Sequence, residues 1–135
     1  MCLTCSKTLA DDDRVNYAAS IFGIDFSFRV EPVVFAFAGR LSRDYTGGLW
    51  EFYALSNGGF YMAPAAGAFA VRSENGFEGE LSAEAFGIVA CLYAYSHLSF
   101  GGQGDLPEVS ARQYHLVREH ALGHAQARSI LAAID

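Results

Sequence analysis

Lysine is nearly missing from this chain. Lys7 is the only one, and the other eight of the nine basic residues are arginines, set against fifteen acidic ones. No segment carries a basic stripe, so neither a nucleic-acid clamp nor a helix lying on a membrane surface is expected. Nor is acidity dense enough to copy duplex DNA. The formal charge is −6, and 15 acidic residues in 135 is about 11%, little above an ordinary soluble domain. Long apolar runs are lacking too. The uncharged stretch Ala85 to Gly104 is interrupted by His97, Gln103 and Gly101-Gly102. Its apolar part ends at Tyr95, and a run of about 10–14 apolar residues suits a buried helix, not a membrane span. Met1 to Asp13 has no apolar core and carries three aspartates, so a signal peptide is not expected.

Cysteine is sparse. Cys2 and Cys5 form a CxxC, but no strand-then-helix redox context and no second CxxC accompany it. It reads as part of a reduced tail, and Cys91 as a small core residue. The odd count favours a reducing cytoplasm. Recognisable catalytic motifs are absent as well: there is no GxSxG, no Walker loop and no GxGxxG after a strand. Gly47-Gly48 and Gly101-Gly102 lack the basic residue or helix start that a phosphate cradle needs.

What the chain has in quantity is apolar and aromatic material, 52% and 14% of residues. With 135 residues it can bury one core, so a single domain is expected over residues 11–135, preceded by a flexible tail over 1–10. Asp11-Asp12-Asp13 can cap a helix beginning near Arg14, with Val15, Ala18, Ala19 and Phe22 on one face and Gly23 as its stop. Phe26 to Val30 reads as an extended link. Glu31-Pro32 opens a second helix, with Val34, Phe37, Ala38 and Leu41 as its stripe, running to about Arg43. The period then changes. Leu49–Leu55 and Phe60–Ala63 flank Ser56-Asn57-Gly58-Gly59, and Asn-Gly between aromatic runs is a strong hairpin signal. Ala68–Ser73 and Phe77–Leu81 follow, joined by Glu74-Asn75-Gly76. Ser82 caps a helix over Ala83–Ser99 that is apolar nearly all round and should lie at the centre. Pro107 opens another helix ending before Gly123, and a last one carries Ala127, Ile130, Leu131 and Ile134. The expected class is α+β: a small antiparallel meander of about four strands between N-terminal and C-terminal helices.

His120 and His124 have the spacing of a helical metal pair, but Gly123 should break the helix between them and the HExxH order is lacking. His97 reads as a core histidine with a satisfied hydrogen bond. Arg40, Arg43 and Asp44 cluster at a helix end and read as solvated surface. Tyr45, Trp50, Phe52, Tyr53, Phe60 and Tyr61 crowd into 17 positions. Most should fill the core between sheet and helix. Two further uses of such rings are a stacking platform for single-stranded nucleic acid, weakened here by the missing basic groove, and a protein-binding face.

The run from Asp44 to Pro64, DY-x-GG-x-W-x-FY-x-L-x-NGGF-x-MAP, closely resembles the antirestriction proteins of the ArdB/KlcA type. The resemblance extends to Arg14, Phe22-Gly23, the helix around Glu31, Ser96-His97, the segment Tyr114 to Ala121, and the ending Ala133-Ile134-Asp135. The Cys2/Cys5 tail is not part of the pattern. The resemblance implies a cytoplasmic bacterial protein, carried by plasmids or other mobile elements, that relieves type I restriction of incoming unmodified DNA. It implies no reaction, catalytic residue, metal or cofactor. The expected partner is therefore the type I restriction-modification complex or a host factor acting on it, with no strong DNA binding and no membrane. Candidate contact residues are Asp44, Tyr45, Trp50 and Asn57. Gly47, Gly48, Gly58 and Gly59 are expected to set turns. Two other classes stay open: a small metal-dependent hydrolase using His97, His115, His120 or His124, and a single-stranded DNA-binding module.

Overall fold

Twelve of the seventeen residues of the helix Ala83–Ser99 are buried, from Phe86 and Ala90 on one side to Ile88, Leu92 and Tyr95 on the other. A helix this apolar needs cover on every side, and the rest of the chain supplies it. A computed structural model describes residues 6–102 and 104–135. In chain order the elements are β1 (Ser6–Thr8), α1 (Asp11–Phe22), a π-helical turn (Phe26–Val30), α2 (Glu31–Leu41), β2 (Trp50–Leu55), β3 (Phe60–Pro64), β4 (Ala68–Arg72), β5 (Glu78–Ser82), α3 (Ala83–Ser99), α4 (Leu106–Ala121) and α5 (Ala127–Ile134). The central helix is α3, and β3, α2, α4, α5 and the β4–β5 ribbon all pack on it.

Its N-terminus is set by Ser82, whose Oγ accepts the Ala85 N–H at 3.2 Å. The helix packs tightly on β3, every residue of which is buried. Gly87 makes that approach possible, because a Cβ there would overlap Ala63 and the Met62 carbonyl. Cys91 lies on the same face. Its Sγ meets the Met62 N–H at 3.4 Å, and burial pushes the thiol up to about 12, as befits an inert core residue. Tyr95 reaches further along β3 and donates its hydroxyl to the Phe60 carbonyl at 2.6 Å.

The α+β class holds, with the predicted strands at their expected places. They divide between two sheets: one of order β1-β2-β3, and a separate ribbon of β4 and β5. Trp50 pairs with Pro64 and Ala54 with Phe60 across the first hairpin. Pro64 has no N–H to extend the ladder, and the ribbon then lies against α3 through Phe69, whose ring stacks on Phe86 at 4.4 Å. β1 is an element that the sequence pattern missed. Ser6 pairs with Leu55 and Thr8 with Tyr53, and the Leu9 N–H donates to the Phe52 carbonyl at 2.8 Å. The expected flexible tail over 1–10 thus contains a paired strand. Its CxxC, Cys2 and Cys5, lies outside the described residues.

Two local expectations are corrected. α1 begins at Asp11, so the aspartates sit inside its first turn and Ala10 takes the cap position without a side-chain cap. Acidic residues complement the helix dipole there as well as at the cap. Phe26–Val30 is π-helical, not extended. The ring of Phe26 is drawn inward between Phe52 at 5.5 Å and Phe60 at 5.6 Å, and Val30 is buried with it. The chain then runs straight into α2. Among the described residues, no helix is long and apolar enough to cross a membrane.

Candidate functional site

The connection from α2 to β2, residues 42–49, is short in apolar residues and rich in glycine, yet it is tied down at both ends. The Ser42 Oγ accepts the Asp44 N–H at 3.1 Å, and the Asp44 carboxylate accepts the Ala70 N–H of β4 at 2.9 Å. At the far end the Leu49 carbonyl accepts the Ala65 N–H at 2.9 Å. Between them Gly47 and Gly48 take φ values of 100° and 118°, which other residues adopt only under strain. The loop therefore has a defined shape while its tip faces solvent. Leu49, an apolar side chain 69% exposed, stands at the far end of the loop, directly before β2.

The four candidate contact residues fare differently. Asp44 is exposed, and Tyr45 and Asn57 are half-buried. Trp50 is only 3% exposed, which corrects its placement as a contact anchor. Its indole N–H donates to the Tyr45 hydroxyl at 3.2 Å, and its ring meets Phe35 edge-on at 5.2 Å, so it holds Tyr45 at the surface from below. Asn57 bridges two elements. Its Oδ1 accepts the Gly59 N–H and its Nδ2 donates to the Leu116 carbonyl of α4, each at 2.9 Å. Gly58 supplies the positive φ of the turn, 92°. Gly59 is needed for space: a Cβ there would come within 2.8 Å of Leu55 and 3.1 Å of Leu116.

Arg40 and Arg43 do not simply wave in solvent. They line a groove of about 660 Å³ together with Asp44 and with Arg72, Glu78 and Gly79 of the ribbon. Arg72 stands far along the chain, so the sequence showed two of three arginines and no groove. Arg14 is a second long-range arginine. It donates to the Trp50 carbonyl at 2.8 Å and lies over the Phe52 ring at 4.3 Å.

The aromatic cluster mostly faces inward. Phe52, Phe60 and Tyr61 are buried, and Tyr53 stacks on Tyr61 at 4.6 Å, so the rings form no open platform for bases. The histidines are dispersed. His97, expected in the core, is exposed and meets Phe37 edge-on, because α3 is ending there and only its Leu98 side remains covered. His115 is exposed beside Tyr114, and His120 is buried against Tyr61 at 5.7 Å. α4 stops at Ala121, so His124 lies in the following turn. There the Gln126 N–H donates to its Nδ1 at 2.9 Å and its Nε2 meets Glu84 at 3.0 Å. That contact holds the Glu84 carboxyl below the usual glutamate range. Among the described residues, no group of three or more His, Cys, Asp or Glu is arranged to hold a metal ion.

The family model described as "Antirestriction protein" matches residues 43–135, from the start of the loop to the last residue. An antirestriction protein KlcA of Escherichia coli is 44% identical over 133 residues, covering 94% of this chain and 90% of that one. The chain belongs to the antirestriction protein family. A second antirestriction protein KlcA of Escherichia coli is 40% identical, covering 96% of this chain and 94% of its own. The antirestriction fold is also known from a solved structure of the KlcA and ArdB proteins. It matches with a TM-score of 0.89 at 40% identity, covering 98% of this chain and 96% of that one. That fold was described as novel, with antirestriction activity against type I DNA restriction systems in vivo but not in vitro. The antirestriction match begins at Arg43 and so leaves out α1 and α2, which nonetheless complete the core in this chain through Phe22, Val34 and Leu41.

Proposed function

We propose that this chain relieves type I restriction in the bacterial cytoplasm by contact with a protein, either the restriction-modification complex or a host factor that acts on it. The observation that carries this reading is the activity of the structurally matched KlcA and ArdB proteins, present in vivo and lost in vitro. An inhibitor that acts by occupying a DNA site or by chemistry of its own keeps its effect among purified components. One that needs a cellular component missing from the purified assay loses it, which of the two partners favours the host factor. The charge supports the same conclusion: 15 acidic residues against 9 basic ones make no replica of a phosphate backbone. The contact surface is the loop 42–49, where Leu49 is exposed and Tyr45 half-exposed, and Asp44 and Trp50 fix the shape of the loop. Asn57 supports it by holding the neighbouring hairpin to α4.

The test is the plating of unmodified phage on a strain with an active type I system. Expression of the chain should raise plating efficiency there and leave a restriction-deficient strain unchanged. No rise with soluble protein present would refute the reading. Competition with duplex DNA for the purified restriction enzyme would replace it with mimicry. Leu49→Ser should weaken relief while leaving the melting temperature unchanged, since the side chain is already exposed. Undiminished relief would place the contact elsewhere.

A further inference from the structure

The groove beside the loop is more than a charged hollow, because one wall is a sheet edge. β4 pairs with β5 on one side only. In the register Val71↔Gly79 and Phe69↔Leu81, the Ser73 N–H continues the inward series by donating to the Phe77 carbonyl at 3.0 Å. Backbone groups alternate in direction along an antiparallel strand, so those of Ala68, Ala70 and Arg72 point away from β5. The Ala70 N–H confirms the direction, for it donates to Asp44 across the groove at 2.9 Å. A carboxylate therefore already occupies one position of this edge.

The guanidiniums around it are unequally engaged. Arg72 is held by Glu78, with Nε and Nη2 both 2.6 Å from the same carboxylate oxygen. Arg40 lies over the Phe37 ring at 5.4 Å. Among the described residues neither Arg40 nor Arg43 forms an ion pair. Among the described residues, a chain of net charge −6 thus presents two arginines without carboxylate partners beside a strand edge that no second strand covers and on which Asp44 holds one N–H.

We propose that this groove takes an extended acidic segment of the partner protein, which displaces the Asp44 carboxylate from the Ala70 N–H, adds a strand along β4 and sets its carboxylates on Arg40 and Arg43. The proposal rests on the protein-contact reading above and names the chemistry of the partner. Strand addition uses the alternating N–H and C=O groups of both chains for affinity and the side chains for specificity. Arginine pairs with carboxylates through charge-assisted bonds. A nucleic acid would also be drawn to the arginines, but it has no alternating donors and acceptors to match the edge.

The experiment uses the full chain and a fluorescein-labelled decapeptide of alternating Val and Glu, followed by fluorescence anisotropy and amide chemical-shift mapping. An alternating Val and Lys peptide and a thymidine oligonucleotide of equal length serve as comparisons. The Glu peptide should bind saturably, shift the amides of Ala68 to Arg72, and weaken as salt rises. The double variant Arg40→Ala, Arg43→Ala should bind it about tenfold more weakly, in keeping with two lost charge-assisted pairs. Both side chains are exposed, so an unchanged melting temperature checks that the variant is folded. Absence of binding, equal binding by the variant, shifts confined to other surfaces, or oligonucleotide binding with the same arginine dependence would each overturn the proposal. Phage plating with the same two proteins separates the layers. Relief by the wild type without peptide binding refutes the groove and spares the contact reading, whereas no relief by the wild type refutes the contact reading itself.

Discussion

Asn57 shows how a residue that looks like a recognition element can be consumed by the fold. Its amide is used at both ends, on the Gly59 N–H and on the Leu116 carbonyl. Gly59 is buried, so an alanine at 57 would strand its N–H away from water. Leaving a buried polar group unpaired costs about 1–3 kcal/mol. Asn57→Ala is therefore expected to lower unfolding free energy by about 2 kcal/mol in urea titration. Restriction relief should fall only as far as the folded population falls. A loss of relief at full stability would mark Asn57 as a contact in its own right. Asp44 behaves similarly, with its carboxylate on Ala70, while Leu49 is the apolar side chain at the far end of the loop with most of its surface in water.

At the scale of elements, the turn between α4 and α5 is fastened to the start of α3. Gln126 accepts the Ser82 N–H on its Oε1 at 2.8 Å, and the Glu84 carboxylate meets His124 at 3.0 Å. Because His124 Nδ1 accepts from the Gln126 N–H, the neutral ring carries its proton on Nε2 and donates it to Glu84. The bond with His124 is the main cause that lowers the Glu84 carboxyl from its ordinary value of 4.5. The sign follows directly. A carboxyl depressed in the folded state contributes its full stability above the unfolded value and loses it as pH falls through the folded one. Melting temperature should thus decline on acidification below about pH 4.5, and Glu84→Gln should flatten that part of the curve. An unchanged acid limb in the variant would assign the dependence to other carboxylates. The π-helical turn teaches a related lesson. Residues 26–30 have too few positions to display a period, and a ring cluster contributed by β2 and β3 decided their conformation.

Across the whole molecule, the first sheet has a strand at each border and the second is a bare ribbon. β1 shields β2, and Leu9 closes the core beneath it. Deleting residues 1–9 would expose the β2 edge and leave the Phe52 carbonyl without its 2.8 Å partner. Unprotected edges of aromatic strands invite pairing between chains. The truncated protein should melt lower and show concentration-dependent light scattering, and a monodisperse truncation with unchanged melting would refute this role for β1. The net charge of −6 bears on the same scale: it disfavours DNA as a general partner while leaving the local arginine groove intact.

Local pattern determined the helices, the aromatic hairpin, the central place of Ala83–Ser99 and, through the run from Asp44 to Pro64, the family. Each of these is written within a few residues: a heptad-like stripe, a cap at Ser82, an Asn-Gly turn, or an all-apolar helix that can only be covered. Tertiary structure alone decided that β1 joins the sheet, that four strands part into two sheets, that Trp50 is buried under Tyr45, and that Arg72 comes to stand beside Arg40 and Arg43. The reason is separation along the chain. Periodicity and capping are properties of neighbours, whereas a groove or a sheet border is made by residues dozens of positions apart, brought together only when α3 has been wrapped on every side.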